Sequence, residues 1–346
     1  MIVVNSDTSR GTSALFFDPD RRLSYPWPEF SAVFAARNIH FRGSVEGNQF
    51  GLVVVCREHP NIQRFLDEYN VPLSRRILLV FEPKSVDPFP FSVMAKEKYG
   101  SIFFASHSAG TGYVKGFGFP LDSFLMGDEY FLSSNSHRTK RIALVQANKF
   151  SSINGEQYSL RRSLISALIK NSIPIDVYGQ GWKDGLFSNF SKAVRAERDR
   201  YLAQQSFHEE FSRSRGTWAN LATQRFLPGV PVSNKVELFE KYRYVLSVEN
   251  DRDWQSEKLF DPLAAGCVTF YIGPHSEFTD AHPEGLVHLE ADKDSAALSI
   301  TRLFDLDSHP SAGIISSSAK RIFRKNESSR VFRQLAEQIC DQITGR

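Results

Sequence analysis

The stretch Tyr242-Arg-Tyr-Val-Leu-Ser-Val-Glu-Asn-Asp-Arg-Asp-Trp-Gln-Ser-Glu-Lys258, continued by Leu259-Phe-Asp-Pro-Leu-Ala-Ala-Gly-Cys-Val-Thr-Phe-Tyr-Ile-Gly273, decides how this chain is read. It runs as an apolar strand, a polar loop, a helix and a second apolar strand that ends in Gly273-Pro274. Continuous apolar runs bounded by Gly, Pro or charge are what strands buried on both faces of a parallel sheet look like. Others recur upstream, at Gly51–Cys56, Ile77–Phe81, Ile142–Val145 and Ile173–Tyr178. Helix-period stretches lie between them. Ser159–Lys170 puts Leu160, Leu164, Ile165 and Leu168 on one side, and Asn234–Lys241 repeats the pattern on a smaller scale. Alternation of this kind predicts an α/β chain with right-handed crossovers.

The 346 residues suffice for two domains. The alternation breaks at Gly127–Lys140, which is polar and reads as an interdomain linker. The organisation expected is residues 1–139 as an acceptor-side domain, 140–316 as a donor domain and 317–346 as a helical tail that packs back on the first, with a ligand cleft between the two α/β domains. Residues 183–233 read as an insertion or long loop.

Composition excludes several classes. With 41% apolar and 23% charged residues, disordered and fibrous chains are out. Lys+Arg 42 against Asp+Glu 39 is too even for a protein built around a nucleic-acid backbone, yet it leaves room for a local anion pocket. The 29 Phe favour an aromatic core and name no activity. Three scattered cysteines make neither a zinc site nor a disulfide framework and suit a reducing compartment. No apolar run is long enough to span a bilayer, and the first residues lack the basic start of a secretory signal. The expectation is a cytoplasmic protein, with peripheral membrane contact left open.

In the opening stretch, Glu249 and Asn250 end a strand while Ser256, Glu257 and Lys258 open the next helix. The carboxyl edge of an open α/β sheet is where ligands bind, and a helix N-terminus attracts phosphate. Lys258 would supply a point charge for a diphosphate, and Glu257 would accept hydrogen bonds from ribose hydroxyls. The competing reading makes Ser256-Glu257 an N-cap with a first-turn acid, and Lys258 a solvated side chain.

The order Glu-Asn, aromatic, Ser-Glu-Lys, then Gly and a Gly-Pro after an apolar strand, resembles the donor-binding signature of glycosyltransferase family 10, the α1,3/4-fucosyltransferases. Ile173-Pro-Ile-Asp-Val-Tyr-Gly179 resembles the family's Val-Asp-Val-Tyr-Gly strand. Ala147-Asn148 followed by Leu160-Arg161-Arg162 resembles its Ser-Asn…Arg element. The resemblance covers about residues 140–275. It implies a GT-B-like fold, GDP-fucose as donor and a glycan acceptor, with no metal. It also implies that Asn148, one of Arg161 and Arg162, Glu249, Asn250, Trp254, Glu257 and Lys258 surround the donor. Successive helical residues point about 100° apart, so one arginine faces the site; counting back from Leu168 favours Arg161. Trp254 stands where the family commonly has Tyr, and the loop from Asn250 to Glu257 is about two residues shorter than the family's.

Glu82 follows the apolar strand Ile77–Phe81 and resembles the family's general base, which takes the acceptor hydroxyl proton in an inverting transfer. Phe81 and Pro83 are expected to shelter it and raise its pKa. Pairing with Lys84 or Arg76 is the alternative. Asp251-Arg-Asp253 has the form of a metal-binding Asp-X-Asp, here a weaker reading because basic residues can neutralise a diphosphate. Gly110–Pro120 lacks the Gly-Lys-Ser/Thr of a phosphate loop and reads as an aromatic acceptor-side loop or a packed turn. A related enzyme using another nucleotide sugar, and a binding protein without turnover on the same fold, remain alternatives.

Overall fold

The computed structural model describes residues 2–4, 27–37, 53–55, 60–104, 138–182, 235–306, 309–324, 333 and 336–341. The Gly110–Pro120 loop, residues 127–137 of the linker and the 183–233 segment lie outside them. The chain divides into two compact units: Met1–Pro120 with Asn326–Arg346, and Leu121–Lys325.

The first unit carries four parallel strands in sequential order, β1 (Ile2–Val4), β2 (Val53–Val55), β3 (Arg76–Val80) and β4 (Ser101–Phe104). Its helices are α1 (Trp27–Ala36), α2 (Pro60–Glu68) and α3 (Val93–Lys98). Ile77, Leu78, Leu79 and Val80 are all buried, so β3 is covered on both faces, as its unbroken apolar run requires. Ser92 caps α3 by accepting from Ala95 N at 3.0 Å. Near the end of the chain Asp341 pairs with Arg37, just past α1.

The second unit is a five-stranded parallel sheet of β5 (Thr139–Val145), β6 (Ile175–Tyr178), β7 (Tyr242–Val248), β8 (Val268–Ile272) and β9 (Leu286–His288), in the order β6-β5-β7-β8-β9. Its helices are α4 (Tyr158–Lys170), α5 (Lys235–Phe239), α6 (Phe260–Ala264), α7 (Glu277–Asp280), α8 (Lys293–Leu306) and α9 (Ala312–Arg324). Alternate residues of the central strands enter opposite cores. Ile142, Leu144, Tyr244 and Leu246 pack with Leu164, Leu168, Phe270 and Ile300. Ala143 and Val245 pack with Phe239, Tyr242 and Cys267 on the other face. Two apolar faces per strand explain why these runs read as continuous rather than alternating.

The chain is α/β with two Rossmann-like parallel sheets, the class expected from the alternation. The strand order places the site. From β5 the chain steps outward to β6, then returns to lay β7 on the other side of β5. That reversal opens a crevice at the carboxyl ends of β5 and β7, the switch point where ligands of open α/β sheets bind. Part of the expected tail is helical: α9 belongs to the second unit, and residues 336–341 to the first.

Candidate functional site

The loops that follow β5 and β7 meet at the carboxyl ends of those strands. The two loops are stitched together by an antiparallel bridge between Glu156 and Asp251. Gln157 N donates to Asn250 O at 3.1 Å and Arg252 N to Gly155 O at 2.9 Å. Asp251 is buried, and its Oδ1 accepts from Asp253 N at 3.3 Å, so this carboxylate shapes the loop. Among the described residues no group of three or more His, Cys, Asp or Glu is placed to hold a metal ion.

Glu249 lies directly after β7 and has 0% exposure. Its carboxylate accepts four hydrogen bonds. Ser256 N at 2.8 Å and Tyr271 Oη at 3.3 Å donate to Oε1. Ser256 Oγ at 2.7 Å and Lys258 Nζ at 3.2 Å donate to Oε2. Burying a carboxylate is costly unless it is fully paired, and this one is. The geometry therefore gives Glu249 an internal role, holding the loop that carries Lys258.

Lys258 Nζ also donates to Ser256 Oγ at 2.7 Å. Its side chain is 14% exposed, and an ammonium has three donors, so one N–H remains beyond these two bonds. Burial alone would pull its pKa down; the charges of Glu249 and Glu257 outweigh that and raise it, so the ammonium stays charged. Glu257 accepts from Lys235 Nζ at 3.1 Å. Burial works against its ionisation, but Lys258 and Lys235 prevail and hold its pKa down to about 2. The helix expected to open at Ser256 begins only at Phe260 and is five residues long. The positive charge at this point of the fold is therefore that of Lys258 and not of a helix terminus.

Both arginines are buried, and they point apart. Arg161 Nη1 donates to Ala147 O at 3.0 Å; Nη2 donates to Val248 O at 2.8 Å, Glu249 O at 3.4 Å and Asn250 Oδ1 at 3.0 Å. It ties the end of β5 to the end of β7 and fixes the Asn250 carboxamide. Arg162 turns to the loop after β5, donating to Lys149 O at 2.6 Å and Ser159 Oγ at 3.1 Å, with its guanidinium 4.1 Å from the Phe150 ring centroid. Burial lowers both pKa values to about 10, leaving both charged at neutral pH. Asn148 donates from Nδ2 to Gly181 O at 3.0 Å and joins the end of β5 to the turn after β6. Trp254 is 4% exposed and packs inside its loop, presenting almost no ring face.

A set of buried polar atoms lies on the same loops and on α4, and of their residues sequence reasoning named Asn148, Arg161 and Arg162 but missed Gln146, Ser152, Gln157 and Gln255. Gln146 Oε1, Asn148 Oδ1, Ser152 Oγ, the Nε of Arg161 and of Arg162, and both amide atoms of Gln157 and of Gln255 have no hydrogen-bond partner. Buried unpaired polar atoms are rare and mark places where water or ligand belongs. Tyr271 was also missed, its hydroxyl hidden within an apolar strand.

Glu82 stands in the first unit, two residues beyond β3. It is exposed, Phe81 is half-buried and Pro83 is buried, so the apolar shelter expected for it is not there. The reason is local. Val86 N and Asp87 N both donate to Pro83 O, turning the chain immediately after Glu82 and leaving it on the outside of the bend. Arg76 is engaged with Asp67 at 3.6 Å and with Val71 O.

No protein-family model matches the sequence, and no curated protein matches it either. Among solved structures the chain is similar to a glycosyltransferase from Rickettsia africae, at 12% identity over 90% of this chain and 86% of that one, with a TM-score of 0.45. It is similar to HepE of Anabaena in complex with UDP and glucose, at 12% identity over 90% and 81%, with a TM-score of 0.49. It is also similar to the pneumococcal O-GlcNAc transferase GtfA in complex with UDP and GlcNAc, at 14% identity over 84% and 57%, with a TM-score of 0.43. At these identities and scores the likeness says nothing of individual residues, and the chemistry has to come from the site. No helix among the described residues is long and apolar enough to cross a membrane.

Proposed function

We propose that this chain is a glycosyltransferase that moves a sugar from a nucleotide donor to a hydroxyl of a glycan acceptor with inversion, without a metal. The observation that carries the reading is Lys258. It is a charged ammonium held at the switch-point crevice by Glu249 and Ser256, partly exposed and with one donor to offer. A cation fixed there suits the diphosphate of a nucleotide sugar and stabilises the charge that develops on it as the glycosidic bond breaks. Asn250, next in sequence to Glu249, is oriented by Arg161. Asn148 and the two arginines build the crevice walls, and Glu257 is the carboxylate available to ribose hydroxyls. Glu82 is proposed as the base that accepts the acceptor proton. The motif resemblance supports GDP-fucose as the donor. The shorter loop and the buried Trp254 support a second reading, in which another nucleotide sugar is used.

Calorimetric titration with GDP, UDP, CMP and GDP-fucose, first in EDTA and then with Mn²⁺, tests the donor. Binding of GDP and GDP-fucose in EDTA, reduced at least tenfold by Lys258→Ala, is expected. Preference for UDP moves the reading to the second donor class, and binding only with Mn²⁺ overturns metal independence. Glu82→Gln separates an enzyme from a binder: donor affinity is retained while transfer falls by 100-fold or more, the scale of a lost general base.

A further inference from the structure

We propose that Tyr271 is a positioning residue for Lys258, acting through the Glu249 carboxylate from the neighbouring strand β8. The proposal rests on Lys258 being the cation that meets the donor diphosphate.

Three observations lead to it. Tyr271 is the next-to-last residue of β8, with 0% exposure, and its hydroxyl points at Glu249 Oε1, 3.3 Å away. Burial, and then the neighbouring Glu249 charge, push its pKa well up, so the phenol is a permanent donor. The hydroxyl reaches Glu249 because residue 273 is glycine. A Cβ there would collide with Tyr271 Oη and stand 2.8 Å from Glu249 Cγ. Gly273 follows β8, and its lack of a side chain is the opening for this contact.

The consequence is electrostatic. The Glu249 carboxylate divides its negative charge among four donors, and Lys258 is one of them. Removing the phenol leaves Oε1 with a single donor and concentrates charge that Lys258 then answers. The ammonium is drawn toward Glu249 and away from a ligand. Tyr271 therefore sets how much of the Lys258 charge is available to a phosphate, without touching the phosphate itself.

Tyr271→Phe keeps the ring, which packs against His288 at 5.4 Å between centroids, and removes only the hydroxyl. Titration of wild type, Tyr271→Phe, Lys258→Met and the double variant with the nucleoside diphosphate that wild type binds, and with its uncharged nucleoside, forms a closed cycle. Tyr271→Phe is expected to weaken the diphosphate roughly three- to tenfold and to leave the nucleoside unchanged, with no further loss in the Lys258→Met background. Unchanged diphosphate affinity, or the same loss with and without Lys258, overturns the proposal. A second readout separates this proposal from the donor reading. In protein labelled at lysine, the Lys258 side-chain resonance, assigned by its disappearance in Lys258→Arg, should move in Tyr271→Phe. If wild type binds no nucleoside diphosphate yet this resonance moves, the donor reading fails and the positioning stands; an unmoved resonance sinks the positioning in either case.

Discussion

Ser172 shows how one residue ends a helix against its own preference. It follows α4 at φ 61, in the left-handed region, where Ser172 N reaches Ile169 O and Ile173 N reaches Leu168 O. This is the closure that glycine normally provides, because a Cβ is strained there. Ser172 is exposed and its side chain makes no hydrogen bond, so Ser172→Gly should stabilise the protein by about 0.5–1 kcal/mol, read as a higher urea midpoint at unchanged slope. At the same scale Glu257 links stability to pH. Its pKa falls from the usual 4.5 to about 2 on folding because Lys258 and Lys235 outweigh burial. A carboxylate with a depressed folded pKa contributes stability above its unfolded pKa and loses it as pH drops through the folded value. Wild type should therefore lose more stability than Glu257→Gln between about pH 4.5 and 2, measured as the difference of their unfolding curves. Equal slopes would show that the lysines do not act on Glu257.

Among the elements, α8 covers the sheet through Ala296, Ala297, Ile300 and Phe304, all buried, while Leu298 is 51% exposed. Ile300→Ala should cost about 2–5 kcal/mol through the cavity it leaves. Leu298→Ala on the same helix should change stability by less than about 0.5 kcal/mol. Chemical denaturation of both variants checks the assignment, and equal effects would contradict it. This helix also marks the limit of what the sequence tells. Two of its large apolar residues, Leu298 and Leu306, face solvent while two of its buried ones are alanines, so its apolar pattern does not mark the buried side, and β9 is only three residues long. β7 and β8, apolar on both faces, were legible at once. Within the site, the residue types at 249–258 point to an anion-binding loop, and the fold brings Glu249, Ser256 and Lys258 of that stretch together. The direction of each side chain was not legible, because direction depends on tertiary partners. Glu249 read as a ligand contact and is an internal anchor; Glu82 read as sheltered and is exposed; Tyr271 and the unpaired amides of Gln157 and Gln255 gave no signal in a single sequence. The Lys258 charge needed only its position in the chain, whereas the bonds that hold it come from a loop and a strand that meet only in the fold.

At the scale of the whole molecule, the division of labour follows from how the chain returns on itself. The first unit takes its last residues from the far end of the chain, Asn326–Arg346, and places Ala336, Ile339 and Cys340 at 0% exposure, with Asp341 paired to Arg37. The second unit holds the Lys258 crevice within Leu121–Lys325 and draws on none of these residues. Among the described residues, ending the chain at Lys325 removes three buried side chains from the unit that carries Glu82 and none from the unit that carries Lys258. Each such side chain contributes about 1–3 kcal/mol by burial, a large share of the stability of a unit this size. Amide exchange resolved by segment should then show protection falling at 76–80 and 101–104 while it holds at 242–248 and 268–272. Nucleoside diphosphate affinity should stay within about twofold of wild type as transfer collapses, because only the unit carrying the proposed base has been weakened. Equal loss of protection in both sheets would mean that the two units unfold as one, and the proposed donor site would then depend on the end of the chain despite sharing no residue with it.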